Sequence, residues 1–282
     1  MKRPPSALHF VDKPPGVTSA ALVDGFRRAH AGPWPLKVSH GGVLDPFAHG
    51  LVVLLVGAAN RLFEALHEAP KRYVATLQLG VETDTGDGDG RVSTRSTTED
   101  VTDARIDEAL THFVGWTQQT PPTTSNKRVD GERAYVRAHR GEHFELPAQR
   151  VYCHAARRVP GEALRVELLV RGGFYVRSLA VDLGRRLGCG AHLTALHRTH
   201  LGPWTVETPP QTGRAVLPWL PWLALSDAEL GALRAGAGLP ARTPTQPDWP
   251  FPAGFPPPTF GPRAFHQGRL VALGTTLLPG GI

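Results

Sequence analysis

The amino-acid sequence predicts an α+β protein, and three observations carry that prediction. The apolar run "LVVLLVGAA" (51–59) reads as a buried strand. "RYVATLQLGVET" (72–83) alternates apolar and polar residues as a half-buried strand does. Amphipathic stretches with capping residues at their starts lie before and after these strands and read as helices.

Taken in order, "ALHFVDKPPGVTSA" opens with a short strand that ends in a Pro-Gly turn. A helix follows from Thr18 or Ser19 over "AALVDGFRRAH", and "GPWP" breaks it. After the 72–83 strand, "DTGDGDG" (84–90) reads as a solvated turn, because no phasing of its aspartates gives a calcium loop. "TTEDVTDARIDEALTHFVG" spaces Val101, Ile106, Ala109, Leu110 and Phe113 as a helix that Gly115 ends. Residues of about 118–150 are polar and rich in Arg and His, the pattern of a loop-plus-helix insertion turned toward a partner. A strand, a Gly-Gly turn and a helix of about 176–187 come next, with Gly188 at the helix end. Beyond about residue 212 prolines crowd 240–262, and "RAFHQGRLVALG" reads as a hairpin turning at Gln-Gly, so a small β-rich module is expected there.

With 282 residues the chain has room for one large domain, or a large and a small one. No apolar run reaches the length of a membrane span, and the N-terminus lacks the apolar centre of a signal peptide, so a cytosolic protein is expected. Cys153 and Cys189 form no CxxC pair and read as reduced. The net charge of +6 is concentrated: residues 126–200 hold 14 Lys/Arg against 7 Asp/Glu. Only 5 of the 31 basic residues are lysine. Arginine's planar fork suits phosphate and base stacking, although a GC-rich genome gives the same ratio; the local surplus is the stronger sign of a nucleic-acid partner.

The chemistry converges on "HGGVLDPFAHG" (40–50). Pro46 biases Asp45 toward extended geometry, and the flanking glycines permit a tight turn open to a large substrate. A lone Asp-Pro is ordinarily just a turn. Here the His-Gly-Gly entry, the strand behind it and the lack of GxSxG, HExxH, P-loop or dinucleotide motifs single Asp45 out. "GGFYVRSL" (172–179) puts Tyr175 and Arg177 on one face if extended, and "KRYVA" offers Tyr73. His192, His197 and His200 have no helical i,i+4 pair and no Cys pair, so no metal site is expected.

Five ordered stretches, "VDKPPGVTS", "SHGGVLDPFAHGLVVLLVGAANRL", "KRYVATLQLGVETDTGDGDG", "PP…SNKRVDGERAYVRAHRG" and "RGGFYVRSLAVDLGRRLGCGAHLTALHRTHLG", resemble the TruB-type tRNA pseudouridine synthases over about residues 8–206. The resemblance implies a mixed, largely antiparallel central sheet flanked by helices in a catalytic domain at 1–212. It also implies a reduced PUA-like RNA-binding domain at 213–282. The implied reaction turns uridine 55 in the tRNA T-arm into pseudouridine without metal or organic cofactor. Asp45 would be the nucleophile, Tyr73 would lie against the flipped base, and Arg177 would pair with Asp45. Tyr175 and Leu196 would line the pocket, and His40 would fill the space the base leaves. Lys13 and Pro14 would back the loop; Lys127, Arg133, Arg137 and Arg198 would contact RNA. The chain departs from the family pattern at Ser39-His40-Gly41-Gly42, at Ala48-His49-Gly50 and at Tyr135-Val136-Arg137-Ala138-His139. A tRNA-folding chaperone and a synthase for another RNA are the rival readings, and nothing in the sequence demands more than a monomer.

Overall fold

The computed structural model describes residues 6–275. Residues 1–5, part of the targeting reading, and 276–282, the end of the C-terminal region, lie outside the described residues. In chain order the elements are β1 (Ala7–Lys13), α1 (Ser19–Ala29), β2 (Val38–His40), β3 (His49–Val56), α2 (Phe63–His67), β4 (Lys71–Leu79), β5 (Val81–Thr83) and β6 (Val92–Arg95). Then come α3 (Asp103–Thr111), β7 (Gly115–Gln119), β8 (Arg128–Val129), β9 (Glu132–Arg133), α4 (Ala134–His139), β10 (Gln149–Val159), β11 (Leu164–Val170), α5 (Val176–Leu187) and β12 (Ala191–Leu201). The C-terminal region adds β13 (Trp222–Ala224), α6 (Asp227–Arg234), β14 (Phe260–His266) and β15 (Arg269–Thr275).

Eight strands form the main sheet in the order β1-β3-β12-β4-β11-β10-β7, with β2 also on β3. Every pairing is antiparallel except β12 with β3, so the expected mixed, largely antiparallel α+β sheet is what forms. β3 reads as a continuous apolar run because both its faces are covered. Val52, Leu54 and Val56 join the core under α1, α3 and α5, with Val23, Leu110 and Leu183. Leu51, Val53 and Leu55 face a second core that includes Leu8, Leu66, Trp204 and Trp219. Each such fully buried Leu or Val contributes roughly 1.5–3 kcal/mol.

β3 also divides the sheet. Along one edge it pairs with β12 only at His49 and Gly50, and with β2 only at 54–56. Loop 41–48, which carries Asp45, runs across the gap between those two partners.

The helix starts follow their sequence signals. Thr18 caps α1 and Thr102 caps α3. Gly188 ends α5 in the left-handed region at φ 81°. The C-terminal hairpin turns at Gln267 and Gly268, both at positive φ, as a two-residue loop requires. Two expectations need correction. The single strand over 72–83 is two, β4 and β5, bent at Gly80. Tyr175 and Arg177 do not share an extended segment: Tyr175 is the cap of α5 and Arg177 lies in its first turn.

α5 lies against the start of β12 so closely that a Cβ at Gly184 would sit 2.1 Å from the Ala191 backbone nitrogen. Gly184→Ala therefore forces the helix off the sheet, and the thermal unfolding midpoint should fall by about 3–10 °C. An unchanged midpoint in a melting experiment would contradict this contact.

Candidate active site

The loop between β2 and β3 is held by hydrogen bonds on both sides of Asp45. The Gly41 amide donates to Val53 O at 2.7 Å, taking part of the β3 edge that no strand covers. Ser19, the first residue of α1, accepts from the Leu44 amide (3.0 Å) and donates to the Leu44 carbonyl (3.1 Å). Pro46 O accepts from the Gly16 amide (2.8 Å) and from Lys13 Nζ (2.9 Å). The Ala48 amide closes the turn on Asp45 O at 3.1 Å. Asp45 is thus fixed through its neighbours while its side chain stays 27% exposed.

The guanidinium of Arg177, 5% exposed, meets that carboxylate side-on. Nε donates to Oδ2 and Nη2 to Oδ1, both at 2.9 Å, the bidentate geometry that favours an ionised carboxylate. The remaining donors are also used. Nη1 reaches Thr85 O (3.2 Å), the Thr124 hydroxyl and Asp87 Oδ2 (3.2 Å), and Nη2 reaches Thr124 O (3.3 Å). Arg177 therefore stands between two carboxylates, Asp45 and Asp87, and cannot rotate away from either without leaving donors unpaired.

Asp87 and Thr124 were not singled out by the sequence. Asp87 belongs to "DTGDGDG", read as a solvated turn, yet it is 6% exposed and accepts from the Thr85 hydroxyl. The turn folds inward because the Leu193 amide of β12 donates to Gly86 O. In the sequence it was marked by its density of glycine and by its place in one of the five stretches that carry the resemblance.

Two of the residues expected to line the pocket fall in one apolar cluster. Tyr73 on β4, Leu196 on β12, Leu44, Ala48 and Val176 are all buried in the same core. Burial raises the pKa of the Tyr175 phenol, with Arg177 and Asp45 near enough to act on it in opposite senses. His40 ends β2 half-buried, with an unpaired buried Nδ1. Its pKa is lowered by burial, then by the charges of Arg198 and Arg133. Lys13 is fully buried and donates to the carbonyls of Pro14, Val17 and Pro46, so it backs the loop as expected, while Pro14 is exposed beside it.

The cations expected to face RNA divide. Lys127 and Arg133 are exposed on the 118–150 insertion. Arg137 is engaged by Glu142 (2.7 Å) and Asp130 (3.0 Å), and Arg140 by Glu132 and Glu142, so these arginines brace the insertion's short helix α4. Arg198 is a correction. It is 1% exposed, and it donates from Nε to Leu51 O (2.6 Å), from Nη1 to Val43 O (3.2 Å) and from Nη2 to Gly42 O (3.2 Å). No strand of the sheet reaches Leu51 O on that edge, and this interior guanidinium satisfies it while tying down loop 41–48. His49 stacks on His197 with ring centroids 4.4 Å apart. Among the described residues no three His, Cys, Asp or Glu side chains are grouped to hold a metal ion, and no helix is long and apolar enough to cross a membrane.

A split mixed sheet with a guanidinium-paired aspartate on the loop across its gap defines the architecture of this protein. The solved Cbf5–Nop10–Gar1 complex contains a chain similar over 96% of this one and 78% of its own length, with TM-score 0.67 and 24% identity. An H/ACA RNP bound to a substrate RNA containing 2'-deoxyuridine matches over the same shares, with TM-score 0.65 and 22% identity. Residues 29–176 match the TruB family pseudouridylate synthase (N terminal domain), and residues 177–212 match the tRNA pseudouridylate synthase B C-terminal domain. The chain belongs to the TruB family. It is 42% identical over 200 residues to a tRNA pseudouridine synthase B of Aromatoleum aromaticum, covering 70% of this chain and 64% of that protein. It is 40% identical over 200 residues to the Rhodopirellula baltica protein of that name, covering 69% and 58%. The chain thus spans about three-fifths of the length of these relatives.

Lys71 opens β4, two residues before Tyr73. It is buried, donating to His67 O (2.9 Å) and Ala69 O (3.0 Å), and burial together with Arg198 and Arg171 pushes its pKa down to about 7. The unfolded chain holds this proton up to the ordinary lysine range, so between pH 7 and about 10 it binds more protons than the native state. Stability should rise with pH across that window, at up to about 1.4 kcal/mol per pH unit from this group. Lys71→Met should remove that slope in denaturant titrations at several pH values; an unchanged slope would contradict the buried, largely neutral amine.

Proposed function

We propose that this protein isomerises uridine to pseudouridine at position 55 in the T-arm of tRNA, with Asp45 as nucleophile and no cofactor. The observation that carries this reading is the bidentate Asp45–Arg177 pair, a carboxylate held from one side and left partly open near the half-buried Tyr175. Chemistry on a base inside a helix requires the nucleotide to be everted. Tyr73, Tyr175 and Leu196 would then wall the pocket that receives it, and His40 would occupy the space left behind. Asp45 attacks and the N-glycosidic bond breaks. The uracil turns to present C5, the C5–C1' bond forms, the bond to Asp45 is released, and the C5 proton is lost as N1 takes one up, so the product is an isomer of the substrate. Arg177 keeps the carboxylate aimed during attack, and the buried ring of Tyr73 keeps water from the detached base.

Lys127 and Arg133 supply phosphate contacts that seat the arm without reading sequence. We read residues 213–282 as a reduced PUA-like module that extends this contact surface, with the β13-β14-β15 sheet and α6 as its framework. The carboxylate distinguishes this reading from a folding chaperone, which needs RNA contacts alone.

Two experiments bear on it. Asp45→Asn should bind T-arm RNA within about threefold of wild type and lose at least about 1,000-fold in turnover, read by tritium release or pseudouridine mapping. Normal pseudouridine formation by Asp45→Asn, or an unmodified T-arm with the wild-type protein, would reject the reading. In filter-binding titrations across about 50–200 mM salt, Lys127→Ala and Arg133→Ala should each flatten the log–log salt slope by about one. Arg198→Leu, by contrast, should leave that slope unchanged. A flatter slope for Arg198→Leu would restore it as a phosphate contact.

A further inference from the structure

α5 begins at an awkward place. Its first backbone N–H groups have no partners within the helix, and its cap residue, Tyr175, has a side chain that makes no capping bond. The missing partner comes from a different strand. Gln119, 2% exposed at the end of β7, accepts from the Tyr175 amide with its Oε1 (2.9 Å) and donates from Nε2 to the Tyr175 carbonyl (3.2 Å). One side-chain amide thus pairs with both polar groups of one backbone residue, as a neighbouring strand would. Directly opposite Gln119 in the β7–β10 register is Gln149, whose Nε2 donates to Gly173 O at 2.8 Å. Two glutamines therefore grip the same turn, two residues before Arg177.

These two residues are also the feet of the insertion, which leaves the sheet after Gln119 and re-enters it at Gln149. Just beyond the first foot, Thr120 O accepts from the Ser178 hydroxyl (2.8 Å), and Thr124 binds Arg177. Everything that sets the aim of Arg177 on this side is thus rooted where the insertion meets the sheet.

We infer that Gln119, assisted by Gln149, is a positioning residue for catalysis: its amide pairs with the Tyr175 backbone, fixes the start of α5, and so holds Arg177 side-on to Asp45. This rests on the functional reading above. A buried amide that served the fold alone would be replaceable by an apolar side chain of similar shape at a cost in stability, with no selective effect on turnover. A residue that aims the guanidinium affects the chemical step when it is lost, because a displacement near 1 Å at reacting groups costs about 100-fold.

The test uses the full chain, T-arm RNA and two variants. Gln119→Met should fold, bind RNA with KM within about threefold of wild type, and lose about 10–100-fold in kcat. Gln119→Glu keeps the acceptor for the Tyr175 amide and should recover part of that loss. Amide hydrogen exchange, read on free protein, should show Tyr175 protected in wild type and in Gln119→Glu, and unprotected in Gln119→Met. A kcat for Gln119→Met within twofold of wild type, a KM that rises as kcat falls, or a Gln119→Glu no better than Gln119→Met would overturn the inference. Because exchange needs no RNA, a wild-type protein that makes no pseudouridine rejects the functional reading, while an unprotected wild-type Tyr175 rejects the clip itself.

Discussion

Two hydrogen bonds of 2.9 Å between Asp45 and Arg177 join segments 132 residues apart, and much of the surrounding architecture follows from keeping them in place. A carboxylate removed from water tends to take up a proton, and a mobile one loses its aim. The planar guanidinium answers both difficulties, provided that it is itself held. Asp87 and Thr85 on one side, and Thr124 with the Gln119-held turn on the other, provide that hold.

Below the loop the protein relies on buried basic side chains that make no ion pair with a carboxylate among the described residues. Lys13, Lys71 and Arg198 direct their donors at backbone carbonyls. Burying a charge costs several kcal/mol unless its hydrogen bonds are complete, so these groups are tolerated only because each carbonyl would otherwise be orphaned too. Where β12 and β2 part along β3, strand pairing stops, and Arg198 takes over the bonding to Leu51 O that a neighbouring backbone would have supplied. The depressed pKa of Lys71 shows how costly the charge is in this environment.

The insertion is braced differently. Arg137 and Arg140 engage Asp130, Glu132 and Glu142 at its surface, where individual pairs contribute little but a linked set restricts a short helix. Lys127 and Arg133 are left exposed, and Arg133 is near enough to His40 to depress its pKa. The outer contact surface and the loop are therefore electrostatic neighbours although they lie far apart in the chain.

Local signals alone determined most of the elements. Thr18 marks a helix start, Gly188 a helix end, Gln267-Gly268 a hairpin, and the unbroken run of β3 a buried strand. These depend on backbone conformation and on side-chain periodicity within a few residues. The motifs also sufficed to bring forward Asp45, Arg177, Tyr73 and Lys13. What only the tertiary structure decided was the environment of charged groups. Arg198 looked like a surface cation and is interior, Asp87 looked solvated and is paired, and Tyr175 and Arg177 sit on a helix start instead of one extended face. The physical reason is the same for all three: whether a polar side chain meets water, a carbonyl or a counter-charge depends on strands and turns distant in sequence, here on where β12 departs from β3, and no local pattern encodes that.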